Sequence, residues 1–196
     1  MVAGAFVISL GVMVGAQRWL AEQRTQPALL ELQQIPGVSQ AWLSSDGGVR
    51  SLWVEVSPAE DLPGLVTALE RVAASGRVGR VDEVVLVDQR TPSLVAAYNH
   101  LSLALQEGAV SGAFTDMADR VYSEAKTLGV PESRVYVDSG NVYLLLKDRD
   151  AFLIEVVPRP LPAGRATVTA KPALRVRAGA AAPYSNRSPV GAGGSG

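Results

Sequence analysis

The stretch VSQAWLSSDGGVRSLWVEV, residues 38–56, decides the fold. Val38 to Ser44 and Val49 to Val56 alternate across Asp46-Gly47-Gly48, a turn whose residues tolerate positive φ, so the segment predicts a β-hairpin. On the second strand Leu52, Val54 and Val56 share one face, which Arg50 joins only at a frayed end. Trp53 sits with Val49, Ser51 and Glu55 on the other face. Trp42 and Trp53 fall on neighbouring strands and carry two readings: a cross-strand aromatic pair, or a patch that docks a partner. They are the candidate interaction residues of the chain.

Outward from the hairpin the pattern turns helical on both sides. Upstream, a helix begins near Pro27 and runs through Leu29, Leu30 and Leu32 until Ile35-Pro36-Gly37 stops it. Downstream, Ser57-Pro58-Ala59-Glu60 reads as a capping box with proline at the first helical position. The helix it starts carries Leu62, Leu65, Val66, Leu69, Val72 and Ala73 at three- and four-residue steps, and ends at Ser75-Gly76. Glu83 to Val87 is a short apolar strand. Residues 27–88 therefore read helix, strand, strand, helix, strand.

A second segment follows Asp88-Gln89-Arg90. Thr91-Pro92 opens a helix with a stripe of Leu94, Tyr98, Leu101 and Leu105, ending near Gly108. A further helix from Thr115 to Leu128 buries Met117, Val121 and Leu128, and is closed by Gly129 and Pro131. Arg134 to Asp138, Asn141 to Lys147 and Asp150 to Val157 then form strands. The links between them are too short for crossovers, so the three are antiparallel.

The two ends of the chain differ from this body. Met1 to Ala16 contains no charged side chain and one polar one, Ser9, before Gln17-Arg18-Trp19 breaks the run. The leading reading is an uncleaved single-pass anchor over residues 1–20, with Arg18 snorkelling toward headgroups. A cleaved signal and a buried core helix are the alternatives; Val14-Gly15-Ala16 suits a cleavage site, but no Lys or Arg precedes it. Arg18 and Arg24 favour a cytoplasmic body, whereas single anchors of this kind commonly export one, and the lean is to an extracytoplasmic body at the plasma membrane. From Pro158 onward come Arg159, Arg165, Lys171, Arg175, Arg177 and Arg187 with no Asp or Glu. The net charge of −1 thus hides an acidic body with a basic tail. Rich in Pro, Ala and Gly, residues 159–196 are expected to be disordered.

Composition narrows the chemistry. With no cysteine there is no disulfide, thiol nucleophile or Cys-type zinc site, and the single histidine, His100, has no second imidazole to share a transition metal. His100 reads as a surface or half-buried residue. Asp116, Asp119 and Glu124 read as a solvated helix face rather than a Ca²⁺ or Mg²⁺ site. Asp46-Gly47-Gly48 and Asp138-Ser139-Gly140-Asn141 are glycine-containing turns, but neither leads from a strand into a helix as a phosphate cradle does. No catalytic residue, metal or cofactor is expected, and no nucleic-acid partner.

The order of elements over residues 27–88, opening with Leu29-Leu30-Glu31-Leu32-Gln33-Gln34-Ile35-Pro36-Gly37-Val38 just after the apolar run, resembles the ring-building-motif domains of secretion and sporulation complexes. It also resembles the related domains of sporulation lipoproteins, although the lipid-attachment cysteine is missing. The resemblance implies a non-catalytic domain that assembles side by side through its helices and sheet, so no functional residue carries over. The chain is expected to be α+β: a transmembrane helix, a small ferredoxin-like αββαβ domain (26–89), an ααβββ segment (91–158) and the tail. The expected function is that of a membrane-anchored, non-enzymatic scaffold or subunit of a membrane complex, capable of self-association or of holding a protein partner. A small-molecule-sensing module is the alternative, and an enzyme ranks third.

Overall fold

Gly47 and Gly48, at φ 55° and 82°, make the two-residue turn that closes the hairpin of β1 (Val38–Asp46) and β2 (Val49–Val56). These backbone angles suit glycine and match the twist of the flanking strands. In the computed structural model residues 27–160 and 173–178 are described. Around the hairpin stand α1 (27–32), α2 (Leu62–Ala74) and β3 (Glu83–Asp88). Next come α3 (Pro92–Ser111), α4 (Phe114–Thr127), β4 (Glu132–Val137), β5 (Asn141–Asp148), β6 (Ala151–Pro158) and β7 (Ala173–Ala178). The fold is α+β with two sheets. One is mixed, in the order β1-β2-β3-β7, with β2-β3 and β3-β7 parallel; the other is the antiparallel meander β4-β5-β6.

The meander has two buried faces. Val142, Leu144 and Leu146 of β5, with Leu153 and Val157 of β6, pack against Leu94, Leu101, Leu105, Met117 and Val121 of α3 and α4. Their neighbours Tyr143, Leu145, Phe152 and Ile154 face the other way, into a core shared with Leu32, Leu52, Val54, Leu65, Leu69, Val84 and Leu86. Alternation along a strand explains the division, and it explains why residues 142–146 are an unbroken buried run. The core therefore crosses the boundary that the sequence pattern places at residues 89–91.

Four local expectations are corrected. Ser57-Pro58-Ala59-Glu60 does not start α2; the helix begins at Leu62, with the Asp61 side chain accepting from the Gly64 backbone N–H at 2.9 Å. Pro63 is the reason, because in a helix begun at Pro58 its ring would collide with the carbonyl of Ala59. Helix α3 continues past Gly108 to Ser111. Leu128 is 41% exposed, since α4 ends at Thr127 and Ala125 takes the buried position. Within the tail, residues 173–178 form β7 rather than disordered chain. Leu174 and Val176 pack on the core, and Arg175 reaches Glu83 at 2.9 Å. The alternation Leu174-Arg175-Val176-Arg177 is a strand pattern that bulk composition averages away.

The expected anchor, residues 1–20, lies outside the described residues, as do residues 161–172 and 179–196 of the tail. Among the described residues no helix is long and apolar enough to cross a membrane.

Gly108 marks the closest approach of α3 and α4. A Cβ built there would lie 2.3 Å from the Met117 sulfur and 2.7 Å from its Cβ. Gly108→Ala is therefore expected to destabilise the protein by about 1–2 kcal/mol, because overpacking outweighs alanine's helix propensity. Chemical denaturation of the two proteins side by side measures the difference.

Candidate functional site

The most buried polar group among the described residues is Asp88, at the end of β3 and fully shielded from solvent. It accepts from Arg90 through Nε (2.8 Å) and Nη2 (2.7 Å), and from the Ile154 backbone N–H at 2.9 Å. Arg90 also donates to Glu155 (3.0 Å) and to the Ile154 carbonyl (3.1 Å). The fork of the guanidinium suits this bidentate grip on a carboxylate. Each member holds another in place. The cluster joins β3 to β6, with Asp88 and Arg90 engaged by the protein itself, and so acts as a latch between the two sheets. Burial pushes the Glu155 carboxyl above the ordinary glutamate range despite Arg90, and burial followed by the Glu155 charge pushes Tyr98 up.

A second polar group lies at the β4–β5 turn. Asp138 accepts from the Gly140 and Asn141 backbone N–H groups, both at 2.7 Å, and from the Tyr143 hydroxyl at 2.6 Å. Burial, then the bond to Asp138, pushes the Tyr143 phenol up. Arg159 donates to the Asp138 carbonyl and stacks its guanidinium over Phe114, 4.6 Å from the ring centroid. These contacts order a turn and tie the start of the tail to α4.

The two candidate tryptophans are directly opposite one another in the β1–β2 register and stack, with centroids 6.0 Å apart and planes at 13°. The cross-strand pair is thus the geometry present. Trp53 is only 4% exposed and packs with Val85 and Val87, so it is not an accessible docking ring; Trp42 is half-buried beside it. His100 is exposed on α3. Asp116 and Asp119 point to solvent, while Glu124 pairs with Arg120 at 2.8 Å. Among the described residues no three His, Asp or Glu side chains converge as a metal site.

What remains outward and apolar lies on α3. Ala97, Leu101, Ala104 and Leu105 are buried in the core shared with α4 and the meander and Gly108 lies against Met117 of α4, whereas Ala96, Leu103 and Val110 are exposed. Leu103 is 68% exposed and Val110 71%. Asn99, His100, Gln106 and Glu107 flank them, also exposed. From Pro92 to Gln106 the helix carries no Asp, Glu, Lys or Arg, which is unusual for an outer layer, where a charged face normally meets water. In the sequence, that absence of charge is the signal of the face. Periodicity fixes attention on the inward stripe and passes over the seven-residue spacing of Ala96, Leu103 and Val110.

The chain matches no family model, no curated protein and no solved structure. Helix α3 and the disposition of the polar groups therefore carry what can be inferred of function.

Two predictions test the latch. Asp88→Ala leaves the Ile154 N–H and Arg90 without their acceptor, and is expected to cost about 3 kcal/mol or more in urea unfolding. The raised Glu155 carboxyl binds its proton more tightly folded than unfolded. Stability is therefore highest, for this group, below the ordinary glutamate range, and is lost as pH rises through the folded value. Glu155→Gln should remove that part of the decline, seen as a flatter stability profile across this window; unchanged curvature would contradict the assignment.

Proposed function

We propose that this chain is a membrane-anchored, non-enzymatic structural or interaction protein that serves as a scaffold or subunit of a membrane-associated complex. The observation that carries the reading is the outer face of α3, which has no Asp, Glu, Lys or Arg from Pro92 to Gln106 and leaves Leu103 and Val110 in water. Exposed apolar residues in line on one helix favour burial against another protein surface. The polar clusters support the same reading from the other side, because their buried groups are engaged in holding strands and turns together. The order of elements in residues 27–88 and its resemblance to assembly domains point in the same direction, as does the apolar run at residues 1–16.

Ligand sensing has less behind it. The hollow between α3 and α4, around Gly108 and Met117, encloses about 160 Å³, below the several hundred Å³ usual for small-molecule sites. A wider hollow of about 670 Å³ between the end of α4 and β4 is open to solvent and lined by side chains such as Tyr122, Lys126 and Arg134.

Crosslinking of the full chain in its native membranes, with mass identification of the products, tests the proposal. Discrete higher-mass species containing this chain are expected, reduced when Leu103→Glu and Val110→Glu are combined. Recovery of monomer alone, under conditions that crosslink other membrane complexes, would overturn it.

A further inference from the structure

We propose that the open edge of β4, beside the end of α4, takes up an extended acidic segment of a partner protein as an added strand. The proposal rests on the scaffold reading and gives it a docking surface apart from α3 and a chemistry for the partner.

Strand β4 ends the meander, and its register says which of its backbone groups look outward. The Asp138 N–H donates to the Asn141 carbonyl at 3.0 Å, which makes residues 138 and 141 a hydrogen-bonded pair of the β4–β5 ladder. In an antiparallel ladder such pairs alternate with pairs that exchange no bonds. Glu132, Arg134 and Tyr136 therefore bond to β5, and Ser133, Val135 and Val137 turn their N–H and C=O groups outward. Val135 shows the same parity, since its N–H donates across the edge to the Tyr122 hydroxyl of α4 at 3.4 Å. Among the described residues no strand pairs with this side of β4.

A row of N–H and C=O groups at every second residue is matched by extended backbone; a helix has already bonded its own. The row is also sheltered. Tyr122 and Lys126 of α4, with Val130 and Ser133, wall a hollow along the edge that is open to solvent on its outer side. The bond to Tyr122 is at the long limit for a hydrogen bond, so an incoming carbonyl at ordinary distance takes its place.

Charge selects the partner. Residues 1–157 hold 19 Asp and Glu against 12 Lys and Arg, yet the hollow is lined by Lys126 and Arg134 with Glu132 as its one carboxylate. Glu132 is itself shared between Arg134 at 2.7 Å and Lys147 at 3.8 Å. A local excess of cations on an acidic body favours acidic side chains on the added strand. A second copy of β4 would bring the same cations together, and a nucleic acid has no amide row to pair with the edge.

The test is titration of the full chain, purified in detergent, into a fluorescein-labelled, end-blocked peptide of eight alternating Glu and Val residues, read by anisotropy. The peptide is expected to bind, more weakly as salt rises, and its Lys-Val counterpart is not. Full N-methylation of the Glu-Val peptide keeps its charge and removes every N–H, and should weaken binding at least tenfold, by about a factor of ten for each 1.4 kcal/mol lost. Lys126→Glu combined with Arg134→Glu should do the same. Ser133→Pro removes an N–H that β5 does not use, so it should weaken binding and leave the unfolding midpoint near that of the parent. Tyr122→Phe frees the Val135 N–H and should tighten binding about threefold, a gain that a misfolded variant would not give. Binding indifferent to N-methylation would overturn strand addition. No binding of the Glu-Val peptide, with higher-mass species still formed in native membranes, would overturn this proposal and leave the scaffold reading standing. Peptide binding with monomer alone in the membranes would overturn the scaffold reading instead. A dimer that Ser133→Pro dissolves, without peptide binding, would put a second copy at the edge and overturn the acidic partner.

Discussion

The strand Asn141–Asp148 has to be hidden on both sides, and most of the architecture follows from that. A half-exposed antiparallel strand alternates apolar with polar residues, but Val142-Tyr143-Leu144-Leu145-Leu146 offers no polar face to water. Two coverings are needed. Helices α3 and α4 provide one; the hairpin, α1, α2 and β3 provide the other. At about 25 cal/mol per Å² of apolar surface removed from water, neither face can be left open without a cost comparable to the net stability of a domain of this size. The two halves of the chain are consequently parts of one layered body with a common core.

Given that layering, the short link between β3 and α3 becomes the critical junction. It has to turn the chain from one sheet toward the far side of the other, and it does so where Asp88, Arg90 and Glu155 meet. Burying three ionisable groups costs several kcal/mol in desolvation before any gain. The same place could be apolar and equally stable. What the ionic arrangement adds is direction: Asp88 requires the Ile154 N–H and Arg90 requires the Ile154 carbonyl, so only one register of β6 against the end of β3 satisfies both. The Gln89–Phe152 bridge, with the Phe152 N–H donating to the Gln89 carbonyl at 3.2 Å, continues that register.

Elements that depend on neighbours along the chain are legible in the sequence. The hairpin at Gly47-Gly48, the cap at Thr91, the helical stripe from Leu62 to Ala73 and the three-stranded meander follow from turn chemistry and periodicity. The departures come from single residues that override a local pattern, or from contacts distant in the chain. Pro63 moves the start of α2 past a well-formed capping box. Gly108 has the look of a helix end but serves to let Met117 approach. Trp53 lies on the face of its strand that alternation gives it, yet its burial there depends on Val85 and Val87, which come from another element. Residues 173–178 are a strand because β3 offers a backbone edge, which composition does not record. The outer face of α3 escapes an amphipathic reading, which follows the inward stripe and takes the remainder to be polar.

Strand β7 carries a consequence for how the chain comes into being. Val84 to Val87 of β3 are all buried, and one of the two edges of β3 is closed only by residues 173–178, joined in parallel after the whole meander has been made. During synthesis from the N-terminus, β3 emerges long before its last neighbour. For that interval an uncharged valine- and leucine-rich edge stands ready to accept whatever extended chain comes near. The contact is also distant in sequence, so it is among the slower ones to form. A protein built this way depends on finishing its own sheet before another chain does so.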